Sequence, residues 1–562
     1  MTTSHFWRGP LPLLCVFVAL GCNIIIGPEP GGPGESGGAS GSAGNGASAG
    51  SGNAGGTPSA GGSGPGGSGG AGAMANAGSA GTAASGAGGT GGAQPTGPVP
   101  RIFYTDITHA PVSGGPAGGG ALVTLYGSDF GSMAGQVEFN GQLLTIVSWG
   151  DDAARGLKKV VVQLPAGTQV GAGQLQLITS GNQRSNTQGL TTTNKKIWYA
   201  APNTNGDGKS MATPIALSDV DDVYLPGDLV YLMDGDYDYA IPNCFNAEAC
   251  SWVLKLTDAP SASEPVQVMG YPGELARFTG EPFGIRVDQS YTRLGNINVR
   301  LPDVAGVGVM VHGRNVTLVG SEISAGGHTQ GANAGLAMGD QASDLDVLGN
   351  YFHGLFSGTD SFSGGARVER YNEFRSLARV VHIDPAAPLT HYGNHAVDVY
   401  QYAIISAGGG AQAKIELFDN LCEMAKYAVF QTASGAKGDV LLRNNTIDTR
   451  CLVGADVDGV TLPIRLEANA FVLSEGYACS EEPEATATLT FTAAGNHWGT
   501  FGPPTEDATP RTGDAALNSD FTPGAASALC GATAKPAAPD DLDYLGKQRR
   551  DPTAVGAFEC PE

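Results

Sequence analysis

Six of the nine histidines fall between His312 and His395: His312, His328, His353, His382, His391 and His395. Arg375, Arg379, Asp384, Asp398 and Lys426 lie in or just beyond the same stretch. Imidazoles that titrate near neutrality beside fixed cations are the equipment of proton transfer and anion binding. Within the stretch, Lys426, Arg379 and His382 are titratable or cationic groups of this kind; surface or structural roles for the same side chains are the alternative. A second set is Tyr392, Glu416, Phe418, Arg443, Arg465 and Glu467. Aromatic rings with Arg and Glu suit sugars, because a pyranose stacks on the ring while charges bind hydroxyls or carboxylates. A third is "NTNGDG", where Asn203, Asn205 and Asp207 alternate like the start of a Ca²⁺ loop. The distal bidentate Glu of such a loop is missing, so the alternative is a turn.

A repeat positions the second set. Asn350, Asn372, Asn394, Asn420, Asn445, Asn469 and Asn496 follow one another at intervals of 22, 22, 26, 25, 24 and 27 residues. A period in the twenties marks a solenoid. Two residues after most of these asparagines stands a bulky apolar or sulfur side chain: Phe352, Phe374, Cys422, Ile447, Phe471, Trp498. Apolar pairs precede several of them by five and three places, as in Ile415/Leu417, Val440/Leu442 and Ile464/Leu466. That is strand alternation with one face inward. The second set then lies at the outward positions, two and four residues before each Asn. Stacked coils would rise about 4.8 Å each, and an inward Asn at every turn would donate to one neighbour and accept from the other. Asn372 is the weak rung, since Arg367 and Glu369 occupy its inward places; a bulge or register shift is expected there. "NVTLVGSEIS" gives an earlier coil with Ser321 at the Asn position. Cys422 is expected to be a buried free thiol.

Composition bounds the rest. A formal charge of -23 over 562 residues speaks against nucleic acid and disfavours polyanions unless a cation offsets the field. Residues 1–22 read as an export signal, apolar over Leu11–Leu20 and closing on "ALGC". Residues 23–99 are Gly-, Ser- and Ala-rich and cannot bury a core, so a disordered tether is expected, with a reach of about 45 Å. Cys244–Cys250, Cys451–Cys479 and Cys530–Cys560 are the candidate disulfide pairs, the first because it flanks a short loop; sequence leaves the connectivity open.

Three resemblances attach to these residues. "ALGC" resembles the bacterial lipoprotein box, which implies lipidation of Cys22 and anchoring at the outer membrane or cell surface. Residues 100–195 carry "VTLYGSDFG", "VEFNG" and "VVQLPAG"; they resemble the IPT/TIG family, which implies an immunoglobulin-like β-sandwich acting as a structural or adhesive spacer. Residues 196–562, from "IWYAAPNTNGDG" and "PGDLVYLMDGDY" to "DYLGKQRRDPTAVGAFE", resemble right-handed parallel β-helix proteins of the pectate-lyase-like class. The expected chain is therefore all-β, a sandwich followed by a single-stranded parallel β-helix. The β-helix class implies polysaccharide as partner. In its lyases a base takes the C5 proton of a uronate while a cation, commonly Ca²⁺, neutralises the carboxylate; Lys426, Arg379 and His382 are the nearest match. We expect a monomeric surface protein that binds or organises extracellular polysaccharide, with a polysaccharide lyase or glycoside hydrolase as the alternative.

Overall fold

The computed structural model describes residues 98–561 except 153–155, 241–253, 257–259, 282, 303–305, 328–332, 340, 362–364, 384–387, 407–411, 432–436, 456–462, 481–489, 532 and 535–541. Cys22, the tether up to residue 97, Cys244 and Cys250 lie outside the described residues, as does the Cys479 side chain. No described helix is long and apolar enough to cross a membrane.

Short alternating strands build a two-sheet sandwich first. Arg101–Thr105, Leu122–Ser128, Leu157–Gln163 and Thr145–Asp152 form one antiparallel sheet. His109–Pro111, Arg184–Thr193, Gly171–Ile178, Gln136–Phe139 and Gln142–Leu143 form the other. Their inward residues, among them Leu125, Val137, Phe139, Val160, Val162, Leu175 and Leu177, are fully or nearly fully buried.

From Ile197 to Ala494 the described strands pair in parallel, coil on coil. The first face is a sheet of 13 strands running from Ile215–Ala216 and Ile197–Ala201 to Thr490–Ala494. The second and third faces share a sheet of 15 strands. In the middle coils one long strand, such as Glu373–Ile383 or Leu421–Gln431, supplies both. Inward side chains make one column of core from Trp198 to Trp498. Val220 and Tyr224, at the short helix Val220–Val223, close its first coil.

The asparagines lie in single file between the first and second faces. Nδ2 of Asn350, Asn372, Asn394, Asn420, Asn445 and Asn469 donates to Oδ1 of the next Asn at 3.1, 2.9, 3.3, 2.9, 2.9 and 2.9 Å. The second amide proton goes to a carbonyl of the preceding coil, and each Oδ1 also accepts from the backbone N–H of the preceding Asn (Asn350 to Asn372, 2.8 Å; Asn420 to Asn445, 3.0 Å). The column ends on Asp507, whose Oδ2 accepts from Asn496 N, Asn496 Nδ2 and Trp498 Nε1. No ladder donor is orphaned, which is what burial demands. Each Asn follows a left-handed residue: Gly349, Tyr371, Gly393, Asp419, Asn444, Ala468 and Gly495 all have positive φ. Four of these are not glycine, so the turn bears local backbone strain that the ladder and coil stacking must outweigh.

Asn372 is a full rung. The bulge expected there does not form: Leu345, Arg367 and Leu389 stay in register, as do Val347, Glu369 and His391. The chain instead buries the charges. Arg367 and Glu369 are 1% and 0% exposed with Nε to Oε1 at 3.1 Å. Glu369 also accepts from Thr359 Oγ1 at 2.7 Å and meets His391 Nδ1 at 3.0 Å. Burial pushes the Glu369 carboxyl up, but Arg367 and His391 outweigh it and hold it below its ordinary value.

The sandwich is packed against the outer side of the first face. Tyr199, Tyr231, Met269, Val319 and Leu348 share one apolar cluster with Ile102, Tyr104, Leu122 and Tyr126. Arg293, buried at this interface, donates to the carbonyls of Thr105 and Asp106. Gln267 Oε1 accepts from Thr108 N at 2.8 Å, and Tyr126 Oη donates to Asn296 Oδ1 at 2.9 Å.

After Trp498 the chain adds isolated parallel bridges, Ala493 to Asp507 and His497 to Arg511, then returns along the asparagine turns. Leu529 and Val555 pack on Ala468 and Ala470; Ala557 and Phe558 pack on Leu421. Arg549 is fully buried and paired with Asp419. Cys530 and Cys560 form a disulfide. Cys451 is disulfide-bonded, and Cys422 is buried and free. The Cys422 thiol is pushed up to about 12 by burial, then by Asp448 and Glu423, and it borders a cavity of about 20 Å³ with His391, Asn394, Asn420 and Asn445.

Candidate functional site

The residues expected to bind sugar stand, as read, on the outer side of the first face: Tyr392, Phe418, Arg443 and Glu467 are register partners, as are Glu416, Leu441 and Arg465. Their surroundings differ from an open groove. Tyr392 and Phe418 are only 8% and 6% exposed and form an apolar cluster with Leu441 and Tyr371. Tyr371 in turn stacks on Phe103 of the sandwich at 4.6 Å. The Arg443 guanidinium covers the Phe418 ring at 4.8 Å, and Glu467 is 3.8 Å away. Glu416 pairs with Lys414 at 2.7 Å, and Arg465 pairs with Asp439 at 3.0 Å. The rings therefore serve packing between coils and sandwich, and the charges are paired with one another.

The expected catalytic trio is not assembled. Arg379 and His382 share the strand Glu373–Ile383 on the third face. Arg379 Nη2 donates to Asp360 Oδ2 at 3.1 Å and Oδ1 at 3.3 Å, and its guanidinium lies 4.8 Å over the Phe356 ring. His382 Nδ1 is 3.9 Å from Asp360. Burial, with Arg379 and Arg367 adding to it against Asp360, pushes His382 down to about 4, so its imidazole is neutral at neutral pH. Lys426 stands elsewhere. Arg379 aligns with Tyr402 and Tyr402 with Tyr427, so Lys426, one residue before Tyr427, is two coils away, about 10 Å. Its Nζ lies 5.2 Å over the Tyr427 ring.

The "NTNGDG" loop is held by protein contacts. Asp207 Oδ1 accepts from Thr213 Oγ1 at 2.7 Å and Lys209 N at 3.2 Å, and these hydrogen bonds hold its carboxyl below the ordinary value. Among the described residues no three His, Cys, Asp or Glu converge on a metal position. Asp207, the one carboxylate of the expected Ca²⁺ set, is thus engaged by Thr213 and Lys209, and no step is assigned to the ion.

A different row is laid out on the second face, and the sequence reading missed most of it. Its outward positions fall one and three residues after each ladder Asn. Glu322, Tyr351, Glu373, His395 and Leu421 align in one column; Ser324, His353, Arg375, Val397 and Glu423 align in the next. Charged groups pair within this row. His353 Nε2 lies 2.9 Å from Glu322 Oε1 and its ring stacks on Tyr351 at 4.5 Å. Glu373 Oε1 accepts two bonds from Arg375, at 3.0 and 2.8 Å. His395 Nε2 lies 2.6 Å from Glu423 Oε1. Asp448 follows, its carboxyl pushed up by burial and by Glu423. Tyr544 of the returning C-terminal segment stands edge-on to His395 at 6.1 Å. Extending the alternation past each Asn would have found the ladder-borne members; nothing local announces Tyr544.

No curated protein matches the chain in sequence. Among solved structures, pectate lyase Pel9A is 15% identical, covering 65% of this chain and 97% of its own, with a TM-score of 0.44. Alginate lyase from Paenibacillus sp. str. FPU-7 is 14% identical over 49% of this chain and 94% of its own, with a TM-score of 0.29. The architecture rests on the strand registers above. Residues 105–193 match the IPT/TIG domain model, which agrees with the sandwich seen there.

Proposed function

We propose that this chain is an exported protein, lipid-anchored through Cys22, that binds extracellular polysaccharide along the outer side of its β-helix. The observation that carries the reading is the second-face row. Paired charges repeat from coil to coil there beside the Tyr351 and His353 rings. Fixed donors and acceptors flanking an aromatic face are what a chain of hydroxylated rings requires. Because the Arg375 charge is already neutralised by Glu373 and the chain carries -23 overall, a neutral glycan fits better than a polyuronate. The first face is a poorer candidate, because its rings are covered.

Affinity electrophoresis against neutral and acidic polysaccharides tests the reading. At least one neutral glycan should retard the protein, and Arg375→Ala or Glu423→Gln should reduce the retardation. Retardation that neither substitution changes would remove the row as the site. Anchoring is tested by fatty-acid labelling, expected to vanish in Cys22→Ala. The second reading, a lyase or hydrolase, is favoured by the neutral imidazole of His382 beside Arg379 and Asp360. It requires growth of unsaturated-uronate absorbance or of reducing ends, lost in His382→Ala.

A further inference from the structure

We propose that Tyr544 is a ligand-stacking residue of the second-face row, positioned by the buried Asp419–Arg549 pair. The inference rests on the polysaccharide reading above and adds to it a residue supplied from the far end of the chain.

Tyr544 belongs to a segment whose placement is over-determined. Its backbone N–H donates to Ala557 O at 2.7 Å. The turn it opens is pinned by Asp543, whose carboxylate accepts from Lys547 N at 2.7 Å and Glu559 N at 2.9 Å. Arg549 donates to Leu542 O at 3.2 Å, to Gly556 O at 2.8 Å and to Asp419, which is the left-handed residue before ladder Asn420. The segment is thus keyed to one coil of the β-helix by a directional contact, where apolar packing alone would tolerate sliding.

That coil is the one that puts Tyr544 at the row. Its ring is half-buried, edge-on to His395 at 6.1 Å and to Phe558 at 5.2 Å. Its phenol is pushed well up by burial and by Glu373 and Glu423, so the hydroxyl is a neutral donor among the row's carboxylates. Ala557 and Phe558 cover Leu421 beyond it, so Tyr544 marks where the C-terminal cover stops and the open row begins. A partly exposed aromatic at the rim of a polar row is a position at which a sugar ring can stack.

The test uses the full chain and a polysaccharide from the panel that retards the wild type. Tyr544→Ala should weaken binding about tenfold, while Tyr544→Phe and Tyr544→Trp should stay within about threefold. Arg549→Met should weaken binding alone but add nothing to Tyr544→Ala, since both would remove the same ring from the row. Binding by Tyr544→Ala within about twofold of wild type, with Arg375→Ala still defective, would overturn the role of Tyr544 and leave the row standing. Additive losses for Tyr544→Ala and Arg549→Met would overturn the positioning role. Failure of the wild type to bind any polysaccharide would overturn both this inference and the reading beneath it.

Discussion

Glu369→Leu should be among the most damaging single substitutions in the β-helix. The carboxylate is fully buried, and it is the countercharge of Arg367, itself 1% exposed, with Thr359 and His391 also on it. Removing it strands a guanidinium between Leu345 and Leu389, its partners in the neighbouring coils. Breaking a buried pair from one side costs about 3–5 kcal/mol. The double variant Arg367→Leu/Glu369→Leu removes both charges, continues the column of Leu345 and Leu389, and sets an apolar group between Val347 and His391; such replacements range from neutral to about 1–4 kcal/mol stabilising. Denaturant midpoints of the full chain, followed by tryptophan fluorescence, should therefore fall sharply for Glu369→Leu and recover in the double variant. The pH dependence has a definite sign. Because the folded carboxyl is held below its ordinary 4.5, its stabilisation is present above that value and is lost as pH falls through the lower folded value. A Glu369→Leu midpoint within error of wild type, or a double variant as damaged as the single, would refute the picture of a desolvated, mutually dependent pair.

Asn420→Ala should cost about 2–3 kcal/mol, since it deprives Asn394 N and Nδ2 of an acceptor inside the column; chemical denaturation measures it. Asp507→Leu should fray the last coil by orphaning Asn496 and Trp498 donors, seen as faster hydrogen exchange at residues 490–498 than at residues 345–353. Cys422 should resist alkylation in the native protein and react only on unfolding, as counted by mass spectrometry, because its thiol is buried and pushed up to about 12. Arg293→Ala should loosen the sandwich from the β-helix by removing the donor to Thr105 and Asp106, read as new proteolytic cleavage near residue 195.

The asparagine period was legible because one physical requirement recurs in every coil: an inward amide that satisfies itself against its neighbours. The inward strand positions followed, since a period of two fixes which side chains face the core. The left-handed residue before each Asn was not legible, because Tyr371, Asp419, Asn444 and Ala468 supply it where Gly would announce it. Arg367 and Glu369 misled for a related reason. Charges at inward positions argue for a slipped strand until their mutual pairing, with Thr359 and His391 from adjacent coils, makes burial tolerable. Those partners become neighbours only once the coils are stacked. The residues expected to bind sugar do lie on the outer side of the first-face strands, yet strand alternation says only that a residue points out of the coil. It cannot say that Phe103 of another domain lies beside it.

The same geometry decides where a ligand has access. The sandwich occupies the outer side of the first face through the early coils, and the aromatic cluster of Tyr371, Tyr392, Phe418 and Leu441 extends that seal further along it. The C-terminal segment covers the turns from Ala470 to Leu421 and stops beside His395. Among the described residues, neither covering reaches the outward row of the second face around Tyr351 and His353 or the Arg379–Asp360–His382 group on the third. On the former, polar groups remain partly solvated and repeat at the coil spacing; on the latter, a single carboxylate holds one cation beside one neutral imidazole. A repeating row suits a polymer that runs along the coil axis. A solitary group suits one reacting bond. Binding at the row, with or without turnover at the group, is thus separable by substitution: Arg375→Ala should act on affinity for the polymer, and His382→Ala on turnover alone.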